Sequence, residues 1–313
     1  MRSISQCHKL LSRISDVWEK RSQVKKKEID AALLLDDSRP DFRIDLLPFK
    51  DHPAFLESSQ ETKDKILSCG WLIYNWKTIA VELKVVNPVC EDIIYHRYPG
   101  VTESAIQEVA TDVLVDESYH VQLVTKAGII TSRQRGLQSL KPPEFNLVLG
   151  MRKEQDLYEE DWKKMLVKLA TSVVSEVFVS DYLKLLSSDK TIQPFNRAVV
   201  QAHHRDEDAH SCIFKSLVQC VYSELTQEQK AFFIEVLPKP LYWFADKELE
   251  VWKSVLEQIG FPKAEEIYRD CRAGETSNLD SIDYTQLIEL VQDLDAKRGE
   301  DSLANMGLLS VAS

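Results

Sequence analysis

The chain has 313 residues with 44% hydrophobic content, enough to bury a sizeable core. Fifty acidic against thirty-nine basic residues give a net charge of -11, which repels nucleic-acid phosphates and anionic lipid surfaces. No stretch approaches the roughly 18 consecutive apolar residues of a membrane span, and the N-terminus lacks a signal-peptide hydrophobic core, so a cytoplasmic protein is expected with neither nucleic acid nor membrane as partner. Six cysteines at 7, 69, 90, 212, 220 and 271 form no CxxC pair and are expected to act as small buried hydrophobes.

Glycine and proline are sparse, and apolar residues recur at three- and four-residue spacing, so the fold class is all-α. The first helix is expected over 4–35, with the basic run RSQVKKK (21–27) as its wet face, followed by a proline-marked connection over 36–53. Helices follow over 61–86 and 103–136, the second starting after HRYPGVTES with Thr102 or Ser104 as its cap. After a second proline-marked connection at 138–151 come helices over 157–187, 194–224 and 227–258, the last kinked or broken by Pro238 and Pro240. A final helix is expected over 282–297, and the polar tail 298–313 is expected to be mobile. No Gly- or Ser-rich linker divides the chain, so residues 1–313 read as one domain, with a core at 61–224.

Inside these helices the pattern Asp-Glu-x-x-His occurs twice, as DESYH (116–120) and DEDAH (206–210). In the second, His203, Glu207 and His210 fall within about 60° of one another around the helix, whereas His204, Asp206 and Asp208 point elsewhere. Taken alone, such a stretch reads as a solvated helix face. Two Glu-x-x-His helices, however, match a dinuclear carboxylate site in a four-helix bundle, which demands one further Glu from each of two other helices. Glu82 in NWKTIAVELKVV and Glu176 in LATSVVSEVFVSDYL meet that demand in apolar surroundings. Four glutamates at about -4 balance two divalent cations at +4, and hard carboxylates mixed with imidazole favour iron or manganese over structural zinc. Asp116 and Asp206 are placed to hold the ligating imidazoles by their other N–H.

The order Glu82, Glu117 with His120, Glu176, then His203, Glu207 and His210 resembles the non-haem diiron N-oxygenases of the p-aminobenzoate N-oxygenase (AurF) family, a branch of the ferritin-like superfamily distinguished by a seventh ligand at the position of His203. The resemblance implies a ferritin-like or ribonucleotide-reductase-like helical bundle with additional helices, and two iron ions held by those seven residues. It also implies O2 bound as a peroxo-diferric species and inserted into an amine nitrogen, giving a hydroxylamine and, further along, nitroso or nitro products of secondary metabolism. The implied partners are a small-molecule amine or amino acid derivative, free or tethered to a carrier protein, and an external electron donor. A homodimer stays open.

Positions one turn from the ligands, among them Thr78, Val173, Val200 and Phe214, together with Tyr74, give a mainly apolar pocket for the substrate. Arg269 and Arg272 lie where the family places an arginine for a substrate carboxylate; if neither enters the pocket, an aliphatic amine is favoured over an aryl carboxylate. Two alternatives remain: an iron-storage protein, and a radical-generating subunit in which Tyr119 would be the radical site. His8, His52 and His96 have no acidic partner at a useful sequence spacing and receive no role.

Overall fold

A computed structural model describes residues 4–26, 29, 35–36, 38–274 and 284–305, and shows only helices, turns and irregular segments among them. Helix α1 (Ile4–Asp16) is much shorter than the expected 4–35. After one further turn (Trp18–Arg21) the backbone becomes extended at Ser22, whose hydroxyl accepts from the Val24 N–H and caps a short 3-10 turn. Residues 18–23 thus form a strap across the helices that carry Asp116 and Asp206 rather than the wet face of a helix, because their donors find buried acceptors there.

Helix α2 (Gln60–Val81) starts at Ser59, whose side chain accepts from the Thr62 N–H. It runs through a π turn (Glu82–Val86) straight into α3 (Asn87–Ile94), eight residues past its expected end. Pro88 explains the turn. It has no N–H to offer the carbonyl four residues earlier, and its ring would crowd that carbonyl, so the helix widens and the Asn87 N–H bonds the Glu82 carbonyl instead.

Helix α4 (Ser104–Gln134) begins behind Glu103, and no side chain caps it, so neither Thr102 nor Ser104 has the expected capping role. Helix α5 (Asn146–Gln155) occupies part of the expected 138–151 connection and buries Leu147, Val148 and Met151. Its Gly150 sits so close to Trp243 that a Cβ would approach the indole to 2.4 Å, which is why a residue that reads as a helix breaker belongs there.

Helices α6 (Asp161–Ser187) and α7 (Pro194–Glu224) follow much as expected. The expected 227–258 helix is three pieces: α8 (Gln227–Val236), α9 (Lys239–Phe244), with Pro240 in its first turn, and α10 (Leu249–Gln258). Helix α11 (Ala264–Ala273) was not expected, and α12 (Thr285–Asn305), bent at Asp295, continues past 297. Leu303 is buried and Ser302 donates to the Ile234 carbonyl, so the tail is packed at least to Leu303; its last eight residues lie outside the described ones.

The helices α2–α3, α4, α7 and α6 pack in a ring, α2 and α3 on α4, α4 on α7, α7 on α6, and α6 back on the π turn. Two buried apolar clusters fill the ring. One includes Val85, Val113, Val173 and Phe214; the other includes Trp71, Tyr74, Leu123 and Val200. The polar core of the molecule lies where these clusters meet.

Candidate metal centre

All seven expected ligands meet inside the ring. Glu82 arrives from the π turn, Glu117 and His120 from α4, Glu176 from α6, and His203, Glu207 and His210 from α7. None is more than 4% exposed. Isolated charges at such depth cost several kcal/mol each, so the cluster requires compensation.

The donor atoms form two overlapping groups. Glu82, Glu117, His120, His203 and Glu207 bring one donor atom each within 4.8 Å of all the others, and so do Glu117, Glu176, Glu207 and His210. Glu117 and Glu207 belong to both. His203 Nε2 lies 2.9 Å from Glu207 Oε1 and 3.8 Å from Glu82 Oε1, while His120 Nδ1 lies 2.7 Å from Glu117 Oε2 and 3.3 Å from Glu207 Oε1. On the other side, His210 Nδ1 is 2.7 Å from Glu117 Oε1, 3.6 Å from Glu207 Oε2 and 3.7 Å from Glu176 Oε2. Two glutamates shared between two donor sets is the arrangement of a bridged dinuclear site.

The outer N–H groups reveal a crossing that the sequence does not announce. His120 Nε2 faces Asp206 at 3.3 Å, and His210 Nε2 faces Asp116 at 3.3 Å. Each aspartate therefore serves the histidine of the other Asp-Glu-x-x-His motif, and the two motif helices, α4 and α7, are cross-tied. Asp116 also accepts from Trp18 Nε1 (3.0 Å), Ser22 Oγ (2.5 Å) and Arg21 Nη1 (3.4 Å), and Asp206 accepts from the Gln23 backbone N–H at 3.2 Å.

Left to themselves, these side chains balance charge internally. Burial, reinforced by neighbouring carboxylates, pushes the Glu82 and Glu176 carboxyls well up. Burial also works against Glu117 and Glu207, but their histidine neighbours outweigh it, holding Glu117 at about 2 and Glu207 well below the ordinary range. Burial opposes the charged form of His120, yet the Glu117 carboxylate and its companions raise it to about 10.

Whether a cation fits is answered by the atoms left over. Glu82 Oε2, Glu117 Oε1, Glu176 Oε2, both Glu207 oxygens, His203 Nε2 and His210 Nδ1 are buried with no hydrogen-bond partner, though several lie within 4 Å of one another. Lone pairs converging from four helices suit metal ions between them. All-oxygen-and-imidazole donors suit iron or manganese, and no cysteine enters either group.

The expected pocket residues divide. Tyr74, Thr78 and Val200 are buried near the His203 side: the Tyr74 hydroxyl lies 3.5 Å from His203 Nδ1, and its ring stacks on Trp71 at 5.1 Å. Burial, with Tyr182 nearby, pushes that hydroxyl well up, partly offset by a hydrogen bond with Thr78. Val173 and Phe214 are fully packed in the other apolar cluster. A cavity of about 270 Å³ lies between α4 and α7, lined by Tyr119, Leu123 and Lys126 of α4, by Phe195 and Val199 of α7 and by Lys26; none of the seven clustered side chains lines it, although Tyr119 is next to His120 in the chain and Val199 one turn before His203. Arg269 and Arg272, on α11, are exposed, and Arg269 pairs with Asp270, so neither enters the buried centre.

A third acid–histidine group, His52, Glu266 and Asp270, lies at the surface. His52 Nδ1 accepts the Ala54 N–H as a helix cap, which leaves its proton on Nε2 facing Asp270 at 3.4 Å. Its lone pair is already used, so it is a structural cap and not a ligand set.

None of the six cysteines is in a disulfide; Cys7, Cys69, Cys90 and Cys220 are buried as expected, Cys271 partly so, and Cys212, against expectation, is exposed. No helix among the described residues is long and apolar enough to cross a membrane.

Comparison with known proteins gives the same answer as the geometry. The family described as P-aminobenzoate N-oxygenase AurF matches residues 5–295. A 4-aminobenzoate N-oxygenase from Streptomyces thioluteus is 30% identical over 267 residues, covering 84% of this chain and 79% of that protein.

Proposed function

The chain belongs to the p-aminobenzoate N-oxygenase family, and on that footing we propose that it is a dinuclear non-haem iron enzyme that N-oxygenates a small-molecule amine. The whole chain is taken as one helical domain built around that centre. The observation that carries the proposal is the pair of donor groups sharing Glu117 and Glu207, with unpaired, buried donor atoms on both sides.

In this reading Glu82, His120 and His203 would hold one iron and Glu176 and His210 the other, with Glu117 and Glu207 common to both donor groups. When bound, the two irons supply the reductive activation of O2 needed to place oxygen on nitrogen. Each N-hydroxylation takes R–NH2, O2, two electrons and two protons to R–NHOH and water, so an external electron donor is required. The chain's own residues do the rest. Four glutamates at about -4 match two divalent ions, and crossed aspartates fix the imidazole orientation. The apolar clusters on both sides exclude water, so the oxidant meets substrate before solvent. The cavity between α4 and α7 is the approach assigned to the amine.

The relative's name makes 4-aminobenzoate the first compound to try. Against it stand the exposed Arg269 and Arg272, which leave a substrate carboxylate without the partner expected from that region and favour an aliphatic amine or amino acid derivative. The test is anaerobic loading with ferrous iron and metal analysis, then exposure to O2 with a panel of aryl and aliphatic amines, with products followed by mass. Two irons per chain and an N-oxygenated product are expected. Background iron removes the metal assignment, and iron turnover unaffected by any amine points to storage instead.

A further inference from the structure

Asp116 and Asp206 are fully buried and bear the imidazoles of both Glu-x-x-His motifs, yet neither is tied down by the ring helices alone. Their remaining contacts come from the N-terminal strap. Trp18 Nε1 and Ser22 Oγ donate to Asp116 Oδ1, and the Gln23 N–H is shared between both oxygens of Asp206. Arg21 lies between the two acids, its Nη1 3.4 Å from Asp116 Oδ2 and 3.8 Å from Asp206 Oδ1, with its side chain 19% exposed. Its Nε and Nη2 are buried without hydrogen-bond partners, so the guanidinium is committed to this place by charge rather than by a full set of hydrogen bonds. The strap is anchored from behind by α1, which packs on α4 and α7, and by Ser15 Oγ donating to Asp112 Oδ2 at 2.5 Å, one turn before Asp116.

We propose that this strap, with Arg21 at its centre, is the outer positioning element of the dinuclear site: it fixes Asp116 and Asp206, and through them aims His120 and His210, so that metal affinity depends on a segment contributing no ligand. With two buried carboxylates sharing one partly buried cation, loss of Arg21 leaves them repelling each other across the gap between α4 and α7. The aspartates then swing, and the imidazoles they hold turn with them. Arg21 is a positioning residue and touches no reacting atom.

The inference rests on the metal assignment above, and the experiment separates the two. Full-length metal-free protein, Arg21→Gln, Arg21→Lys and Lys20→Gln are titrated with cobalt(II) against a competing chelator. Affinity, the visible d–d absorption of bound cobalt and the melting temperature of the metal-free protein are recorded. The expected result is a fall in affinity of about 10- to 100-fold in Arg21→Gln, the range for groups that orient ligands. A changed d–d spectrum should accompany it, together with a lower metal-free melting temperature from the two uncompensated carboxylates; Arg21→Lys should partly restore both, and the exposed strap control Lys20→Gln should change neither. Parental affinity and spectrum in Arg21→Gln overturn the inference, as does a loss of affinity with an unaltered spectrum and a melting temperature lowered in step. If Arg21→Gln does not fold, Ser22→Ala decides, since it removes one hydrogen bond to Asp116 and keeps the charge: several-fold weaker binding with an altered spectrum supports the inference, and parental behaviour overturns it. Failure of the parent protein to bind two cobalt ions removes the metal assignment itself, and this inference with it.

Discussion

Around the shared Glu117 and Glu207, one side gathers Glu82, His120 and His203, and the other only Glu176 and His210. The richer side adjoins Tyr74 and the cluster that contains Val199 and Val200; the poorer side adjoins the buried Cys90 thiol, pushed well up by burial and then by the Glu117 and Glu176 carboxylates. The difference traces to one position in a near-repeat. His203 stands four residues before Glu207 on α7, whereas the residue four before Glu117 on α4 is Val113, buried in apolar core. Two helices carrying the same Asp-Glu-x-x-His motif thus make unequal halves because a single turn upstream differs. The lesson is that a repeated motif sets which side chains the two donor groups share, while its flanks decide how alike those groups are.

That comparison can be broken by substitution. Glu207→Ala removes a donor from both sides and should have the largest effect, abolishing binding of both metals; metal analysis after anaerobic loading checks it, and retention of one tightly held ion would show that Glu207 is not shared. Next comes His210→Ala, which leaves the poorer side with Glu176 as its own donor, so one of two cobalt(II) ions should be lost in titration. His203→Ala should cost less, since Glu82 and His120 remain, and equal losses in the two variants would erase the proposed asymmetry.

The crossed aspartates sharpen the same point at smaller amplitude. Asp206→Asn should weaken the side of His120, and Asp116→Asn the side of His210, each by about 10- to 100-fold in affinity. Opposite assignments in the cobalt spectra would mean that each aspartate serves its own motif. Smallest of all, Tyr74→Phe removes a long 3.5 Å contact to His203 Nδ1, and a loss of about 1 kcal/mol or less in metal affinity is expected. A larger loss would place Tyr74 among the groups that orient the ligand.

The seven clustered side chains were legible as candidates because each constraint on them is local. Glu-x-x-His fixes two donors on one helix face, and Glu82 and Glu176 stand out as acids in apolar turns. What escaped is what depends on a second element. RSQVKKK reads as a solvated face because nothing near it in sequence reveals that Arg21, Ser22 and Gln23 meet two buried carboxylates nearly a hundred residues or more away. The aspartates were expected beside the imidazoles and lie there, but the crossing depends on how α4 and α7 face each other. Helix α5 was hidden by the prolines that mark the 138–151 stretch, and the fit of its Gly150 appears only with Trp243 packed against it.

The π turn at Glu82 has one further consequence, a matter of phase. A helix rotates its side chains by about 100° per residue, so a widened turn shifts the angular frame of everything beyond it relative to everything before. Upstream, the frame presents Tyr74 and Thr78 toward the His203 side; downstream, it turns Val85, Val86, Val89, Cys90 and Ile93 fully inward. One continuous rod therefore carries two independent orientations, and Glu82 stands at the joint. Deleting a single residue between 82 and 86 would leave the helix intact and yet rotate one half against the other, as a gear slipped by one tooth still turns but no longer meshes.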